Sequence, residues 1–157
     1  MSGLDRLAAA VAECTKCLLH RGRTHAVPGE GPQDAEVMFV GEAPGADEDA
    51  QGRPFVGRAG QLLDKIIAAC GLKREDVFIG NILKCRPPGN RDPKLEEIVS
   101  CMAYLQRQLE SIDPDIIIAL GAHAARTLLD TDQAIGRLRG QVHQCQILGL
   151  AHKPIKL

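Results

Sequence analysis

Cys14, Cys17, Cys85 and Cys101 have the types and spacing to hold a metal or a cluster. Two residues separate Cys14 from Cys17, so both thiolates can converge on one centre, although redox dithiols and zinc knuckles share that spacing. The pair follows a helical pattern instead of opening a helix after a strand, which disfavours a thioredoxin-type motif. Cys85 closes an apolar run and Cys101 lies one position off the apolar stripe of the next helix, so a strand-to-helix return can bring them beside the first pair. Four thiolates suit tetrahedral zinc or an iron–sulfur cluster. The wide separation of the second pair tilts the reading toward a cluster, with scattered core cysteines as the plain alternative. Cys70 sits on a core stripe and reads as a buried thiol; Cys145 has no assignable context.

A second chemical feature is the turn Gly41-Glu42-Ala43-Pro44-Gly45 after the apolar run Val37 to Val40. Glycines there let backbone approach a ligand closely. A phosphate-cradling P-loop is disfavoured, because no Gly-Lys-Ser/Thr follows.

These residues need elements to position them. Leu4, Leu7, Ala8 and Val11 repeat at helical spacing, and a basic Gly/Pro-rich loop runs from His20 to Pro32. Ala59, Leu62, Leu63, Ile66, Ile67 and Cys70 form a helical stripe that Gly71 stops. Val77 to Leu83 is a second strand. Asp92 can cap a helix with Pro93 in its first turn and Leu95, Ile98, Val99, Met102 and Leu105 on one face. Ile116 to Leu120, apolar throughout, suits a parallel strand covered on both faces, and Ile147 to Ala151 suits a last short strand. The alternation predicts one α/β domain over 1–157, doubly wound, with sites at the carboxyl ends of strands.

The chain has 157 residues, 45% apolar and 25% charged, with a net charge of −1, which fits one soluble domain and argues against indiscriminate coating of nucleic acid. A local basic rim remains compatible with DNA binding. No segment has the length of a membrane span, the N-terminus lacks a signal-peptide core, and the expected location is the cytoplasm, where cysteines are thiols or ligands.

Two longer blocks are specific. Gly41 to Gly45, followed by Gly52-Arg53-Pro54-Phe55-Val56-Gly57-Arg58-Ala59-Gly60-Gln61-Leu62-Leu63, resembles the signature of family 4 (iron–sulfur, thermophile-type) uracil-DNA glycosylases. Asn81-Ile82-Leu83-Lys84-Cys85-Arg86-Pro87-Pro88-Gly89-Asn90-Arg91-Asp92-Pro93 is similarly characteristic, and with Cys14, Cys17 and Cys101 the resemblance spans roughly residues 1 to 143. It implies a three-layer α/β/α sandwich around a four-stranded parallel sheet. It further implies a 4Fe–4S cluster on Cys14, Cys17, Cys85 and Cys101, and hydrolysis of the uracil–deoxyribose bond to start base-excision repair.

Such an enzyme must extrude the nucleotide, read uracil against cytosine and stabilise separating charge. By resemblance, Phe55 stacks on the base, an interaction worth about 1–3 kcal/mol. Asn81 reads the base, since an amide offers a donor to O4 and an acceptor for the adjacent N–H. Glu42 positions or activates the water, with Gly41 beside the base. Arg86, Arg91, Arg137 and Arg139 are loop cations that can meet phosphates, whereas His123 and His143 belong to no motif. The family pattern continues into a Thr-Tyr-His-Pro-Ala-type motif and a closing helix. Here Leu148-Gly149-Leu150-Ala151-His152-Lys153-Pro154 makes His152 the nearest counterpart of the catalytic histidine. The expectation is a chain lacking the His-Pro order and closing helix, with reduced turnover. A binding-only homologue and an iron–sulfur electron-transfer protein are the alternatives. The expected partner is uracil-containing DNA, single- or double-stranded, met by a monomer working with a sliding clamp or other repair proteins and no membrane.

Overall fold

The computed structural model describes residues 2–138, 142–144 and 154–156. Helix α1 (Gly3–Ala12) begins on a reciprocal cap: the Ser2 hydroxyl accepts from the Asp5 N–H, and the Asp5 carboxylate accepts from the Ser2 N–H. It buries Leu7 and Val11, the apolar positions one turn apart. Strands β1 (Val37–Gly41), β2 (Phe78–Asn81) and β3 (Ile116–Ala119) then pair in parallel, with β1 in the centre. At the free side of β3, the three-residue strand β5 (Pro154–Lys156) pairs parallel, and β4 (Val142–Gln144) runs antiparallel to β5. The protein is therefore α/β with a parallel sheet. The family resemblance implies four parallel strands, and the sequence pattern offers Ile147–Ala151 as a last short strand. Instead, three strands form the body of the sheet and two very short ones extend it, while 147–151 lies outside the described residues.

Between the strands run α2 (Ala46–Gln51), α3 (Arg58–Ala69), α4 (Leu95–Ile112), α5 (Ala122–Leu129) and α6 (Ile135–Leu138). Alternate strand residues serve opposite faces. Met38, Val40, Ile117 and Ala119 pack with Leu105, Leu109, Ala125 and Leu128 of α4 and α5. Phe39 and Ile79 pack with Leu63 and Ile67 of α3 on the other face. Each fully buried Leu, Ile, Val, Phe or Met among them contributes about 1.5–3 kcal/mol. Among the described residues no helix is long and apolar enough to cross a membrane.

Three local expectations are corrected. Cys70 is exposed, not a core thiol: the buried side of α3 is Gly60, Leu63 and Ile67, and Cys70 sits where the chain leaves the helix into left-handed Gly71. On α4 the buried face is Glu97, Cys101, Tyr104, Leu105, Gln108, Leu109 and Ile112, leaving Leu95 and Val99 in solvent. Glu97 takes a place on the buried face, paired with Arg91 at 2.7 Å, on the same side as Tyr104, Leu105, Leu109 and Ile112, whose burial leaves Leu95 and Val99 outside. Asp92 does not cap α4 either, because the Glu97 carboxylate accepts the Lys94 N–H at 2.9 Å and the helix starts at Leu95. The short helices α2 and α6 have no apolar stripe of their own and are not marked by periodicity.

Candidate active site

The register of β1 and β2 sets Gly41 opposite Asn81. The ladder continues past both strands, with Ile82 N–H donating to Gly41 O at 2.9 Å and Leu83 N–H to Glu42 O at 3.0 Å. Asn81 and Glu42 are thus fixed side by side at the carboxyl edge of the sheet, where α/β proteins place ligands. Asn81 is 1% exposed, and among the described residues its side-chain carbonyl oxygen has no hydrogen-bond partner. A Cβ on Gly41 would stand 2.5 Å from the Phe55 ring and 2.6 Å from that oxygen, so only glycine lets the ring and the amide face one another. Together with Glu42, Pro44, Asn90 and Arg91 they line a cleft of about 300 Å³.

Phe55 is held there under strain. Its φ is 49°, the left-handed region that a bulky side chain rarely adopts, at a cost of about 1–3 kcal/mol. Two charged residues impose it. Arg74 donates to the carbonyls of Phe55 and Pro54, with its charge met by Glu30 at 3.1 Å and Asp64 at 2.8 Å. Glu48 accepts the N–H groups of Val56 and Gly57 at 2.9 Å each and of Gly45 at 3.0 Å, binding both loops of the cleft to α2. Gly60 completes the clamp, since a Cβ there would lie 1.9 Å from the Phe55 carbonyl oxygen.

Behind Asn81, Lys84 is buried to 1% exposure; its Nζ donates to Asn81 O and to Gln108 Oε1, each at 2.8 Å. Gln108 in turn donates to Pro28 O at 2.6 Å, so α4 braces the segment that carries Asn81. Burial drives the Lys84 ammonium down to about 7, partly offset by Cys101.

Glu42 is half-buried at the cleft mouth. Its carboxyl is raised above the ordinary carboxylate range, first by burial, with His123 pulling it down and Asp92 pushing it further up. His123 Nε2 lies 3.3 Å from Asp92 and 4.0 Å from Glu42.

The four cysteines gather from three segments beside this cleft. Cys17, Cys85 and Cys101 share a cluster with Leu19 and Leu83, while Cys14 adjoins Tyr104. Burial raises the Cys85 thiol, the Arg23 guanidinium at 3.1 Å lowers it, and Cys17 and Cys14 push it up again. Cys101 is pushed up to about 11 by burial, with Cys85 and Cys17 adding to it. A tetrahedral zinc with Zn–S bonds of about 2.3 Å would hold sulfurs about 3.8 Å apart. Among the described residues, the group whose ligand atoms all fall within 4.8 Å is Glu42, Asp92 and His123, not the cysteines. The thiols are nevertheless within electrostatic reach of one another, since Cys14 and Cys17 act on Cys85, and Cys85 and Cys17 act on Cys101.

Known proteins carry the same pattern. A sequence model of the Uracil DNA glycosylase superfamily matches residues 28–153. A type-4 uracil-DNA glycosylase of Archaeoglobus fulgidus is 48% identical over 161 residues, covering 100% of this chain and 81% of its own. Those of Saccharolobus solfataricus and Thermotoga maritima are 51% and 50% identical, over 95% and 83% of this chain and 71% and 68% of their own.

The chain belongs to the type-4 uracil-DNA glycosylases.

Within this family frame the structure brings Gly41, Glu42, Phe55 and Asn81 into one cleft and gathers the four cysteines nearby. It gives Arg91 an internal partner, the bidentate Glu97 pair, and Arg86 a bond to Asn90 Oδ1 at 2.7 Å. Arg139 and His152 lie outside the described residues. His143 accompanies Leu138 O at 2.8 Å, away from the cleft residues. Sequence reasoning missed Glu48, Arg74, Lys84 and His123. Glu48 stands three residues after Gly45, a spacing that signals side-chain capping of a helix start; Arg74 and His123 act across long sequence separations, and Lys84, though three residues from Asn81, is buried only because Gln108 of α4 receives its ammonium.

If Glu42 acts as a carboxylate, it is active only above its raised pKa. The rate should therefore fall with acid at a pH higher than an ordinary exposed carboxylate would give. Single-turnover rates from pH 4 to 8 should show this acid limb, and Glu42→Gln should abolish it while lowering the plateau about 10²-fold. A limb retained in Glu42→Gln would assign it to another group.

Proposed function

We infer that this protein hydrolyses the N-glycosidic bond of uracil in DNA, leaving an abasic site in base-excision repair. The observation that carries the reading is the buried Asn81 carbonyl oxygen, unpaired among the described residues, beside a cleft walled by an aromatic ring. Leaving such an acceptor unmatched costs about 1–3 kcal/mol, and a flat base with a ring N–H would satisfy it. Family membership supplies the reaction class.

In this reading the extruded uracil stacks on Phe55, its N3–H donates to Asn81 Oδ1, and the Asn81 amide N–H donates to O4. Cytosine offers N3 as an acceptor and an amino donor at C4, the reverse set, so it mismatches an amide fixed from behind. As the C1′–N1 bond breaks, its electron pair leaves with the uracil ring, whose oxygens gain charge that oriented donors stabilise. Glu42 steadies the cationic sugar and takes a proton from the water that adds to C1′. His152 is assigned the donor at O2. Arg86, Arg91 and Arg139 are assigned to phosphates, Arg91 with its guanidinium shared with Glu97.

Cys14, Cys17, Cys85 and Cys101 are assigned to a 4Fe–4S cluster. What supports this is a set of four thiols from three segments, Cys85 and Cys101 buried and Cys14 and Cys17 partly so, together with family membership. The cluster would fix the segments that bear it, the N-terminal loop and the stretch after β2 that leads from Asn81.

Single-turnover excision from uracil-containing oligonucleotides, single- and double-stranded, tests the activity by alkaline cleavage of the product. Abasic product at uracil and none at cytosine is expected; tight binding without abasic product would replace the enzyme with a binding protein. For the cluster, the purified protein should be brown with broad visible absorption. Cys85→Ser and Cys101→Ser should bleach it, and Cys70→Ser should not. Colourless protein carrying one zinc per chain would contradict the cluster.

A further inference from the structure

Glu42, Asp92 and His123 come from three separate places: the turn after β1, the loop before α4 and the first turn of α5. Their ligand atoms nevertheless lie within 4.8 Å of one another. Two carboxylates so close repel, and a cation between them is what makes the arrangement favourable. The His123 ring occupies that place, 3.3 Å from Asp92 and 4.0 Å from Glu42.

We propose that His123 is a positioning residue for the glycosylase reaction: its imidazolium ties Glu42, through Asp92, to the loop that borders the uracil cleft. His123 touches neither base nor sugar in this arrangement. It acts by fixing where the Glu42 carboxylate stands and by favouring its ionised form. The other charged groups lining the cleft are already engaged. Glu48 is bound by the N–H groups of Gly45, Val56 and Gly57, and Arg91 is bound by Glu97. Among the described residues, Asp92 and His123 place their ligand atoms within 4.8 Å of the Glu42 carboxylate, the one disfavouring and the other favouring its ionised form.

The two neighbours make a two-sided test in the acid limb of uracil excision. Removing the cation in His123→Gln should move the limb up by about half a pH unit, the size expected of a half-exposed pair. Removing the anion in Asp92→Asn should move it down. His123→Lys, which keeps a cation, should hold the limb near its wild-type position. In His123→Gln the plateau kcat should fall by about tenfold, as misplacement of a reacting group does, with KM within about twofold. All rates are measured in EDTA, so that no divalent ion can replace the imidazolium. A limb that stands still in both His123→Gln and Asp92→Asn overturns the proposal, whatever happens to kcat, because a merely structural histidine would lower the rate without moving a titration. The inference rests on Glu42 as the ionising group. A limb that survives in Glu42→Gln defeats that reading, whereas one that vanishes there yet ignores His123 and Asp92 defeats only this proposal.

Discussion

The Asn81 side chain ends β2 with its carbonyl oxygen buried and unmatched, a state costing about 1–3 kcal/mol in the free protein. Much of the molecule is arranged to keep it so. Lys84 and Gln108 brace the Asn81 backbone from behind. Gly41, its register partner on β1, is the one residue type that leaves the oxygen open to the cleft. Phe55 is then bent into a left-handed conformation so that its ring faces the same space. A ligand with a flat face and a donor relieves the unmatched acceptor, so the cost paid in the empty cleft becomes selectivity on binding.

Charged side chains hold the backbone at Phe55, while its ring packs against the core formed by Phe39, Leu63 and Ile79. Arg74 grips the Pro54 and Phe55 carbonyls while Glu30 and Asp64 hold Arg74, and Glu48 gathers the N–H groups just beyond. These bonds satisfy backbone groups that a tight loop would otherwise leave unpaired. The same economy applies near the cysteines, where Arg23 bonds both Cys85 Sγ and Ala12 O and so joins the end of α1 to the stretch after β2. Cleft and thiol centre share one short segment, Asn81 to Cys85, and whatever fixes one end steadies the other.

The strands and helices that carry the site are legible in the sequence because they are apolar and periodic: Val37 to Val40, the Leu63/Ile67 stripe and Ile116 to Ala119 need no tertiary knowledge. Gly41, Glu42, Phe55 and Asn81 are legible through the two signature blocks. Legibility stops where a charge joins the buried face of a helix or a long-range pair sets a loop. Glu97 is buried beside Arg91 while Leu95 and Val99 are exposed, against the pattern. Cys70 follows the stripe in sequence yet falls past the helix end. Arg74 and His123 look like surface residues until the fold brings Phe55 and Glu42 to them, because their partners lie 19 residues away for Arg74 and in the turn after β1 for His123.

The central claim is that the empty acceptor of Asn81 is a uracil reader. A crystal structure of the protein with free uracil tests it most directly. The account predicts the base lying flat on Phe55, with N3 within hydrogen-bond distance of Asn81 Oδ1 and O4 beside the Asn81 amide nitrogen. Uracil bound elsewhere, or in this cleft with Asn81 Oδ1 still unpaired, would contradict it.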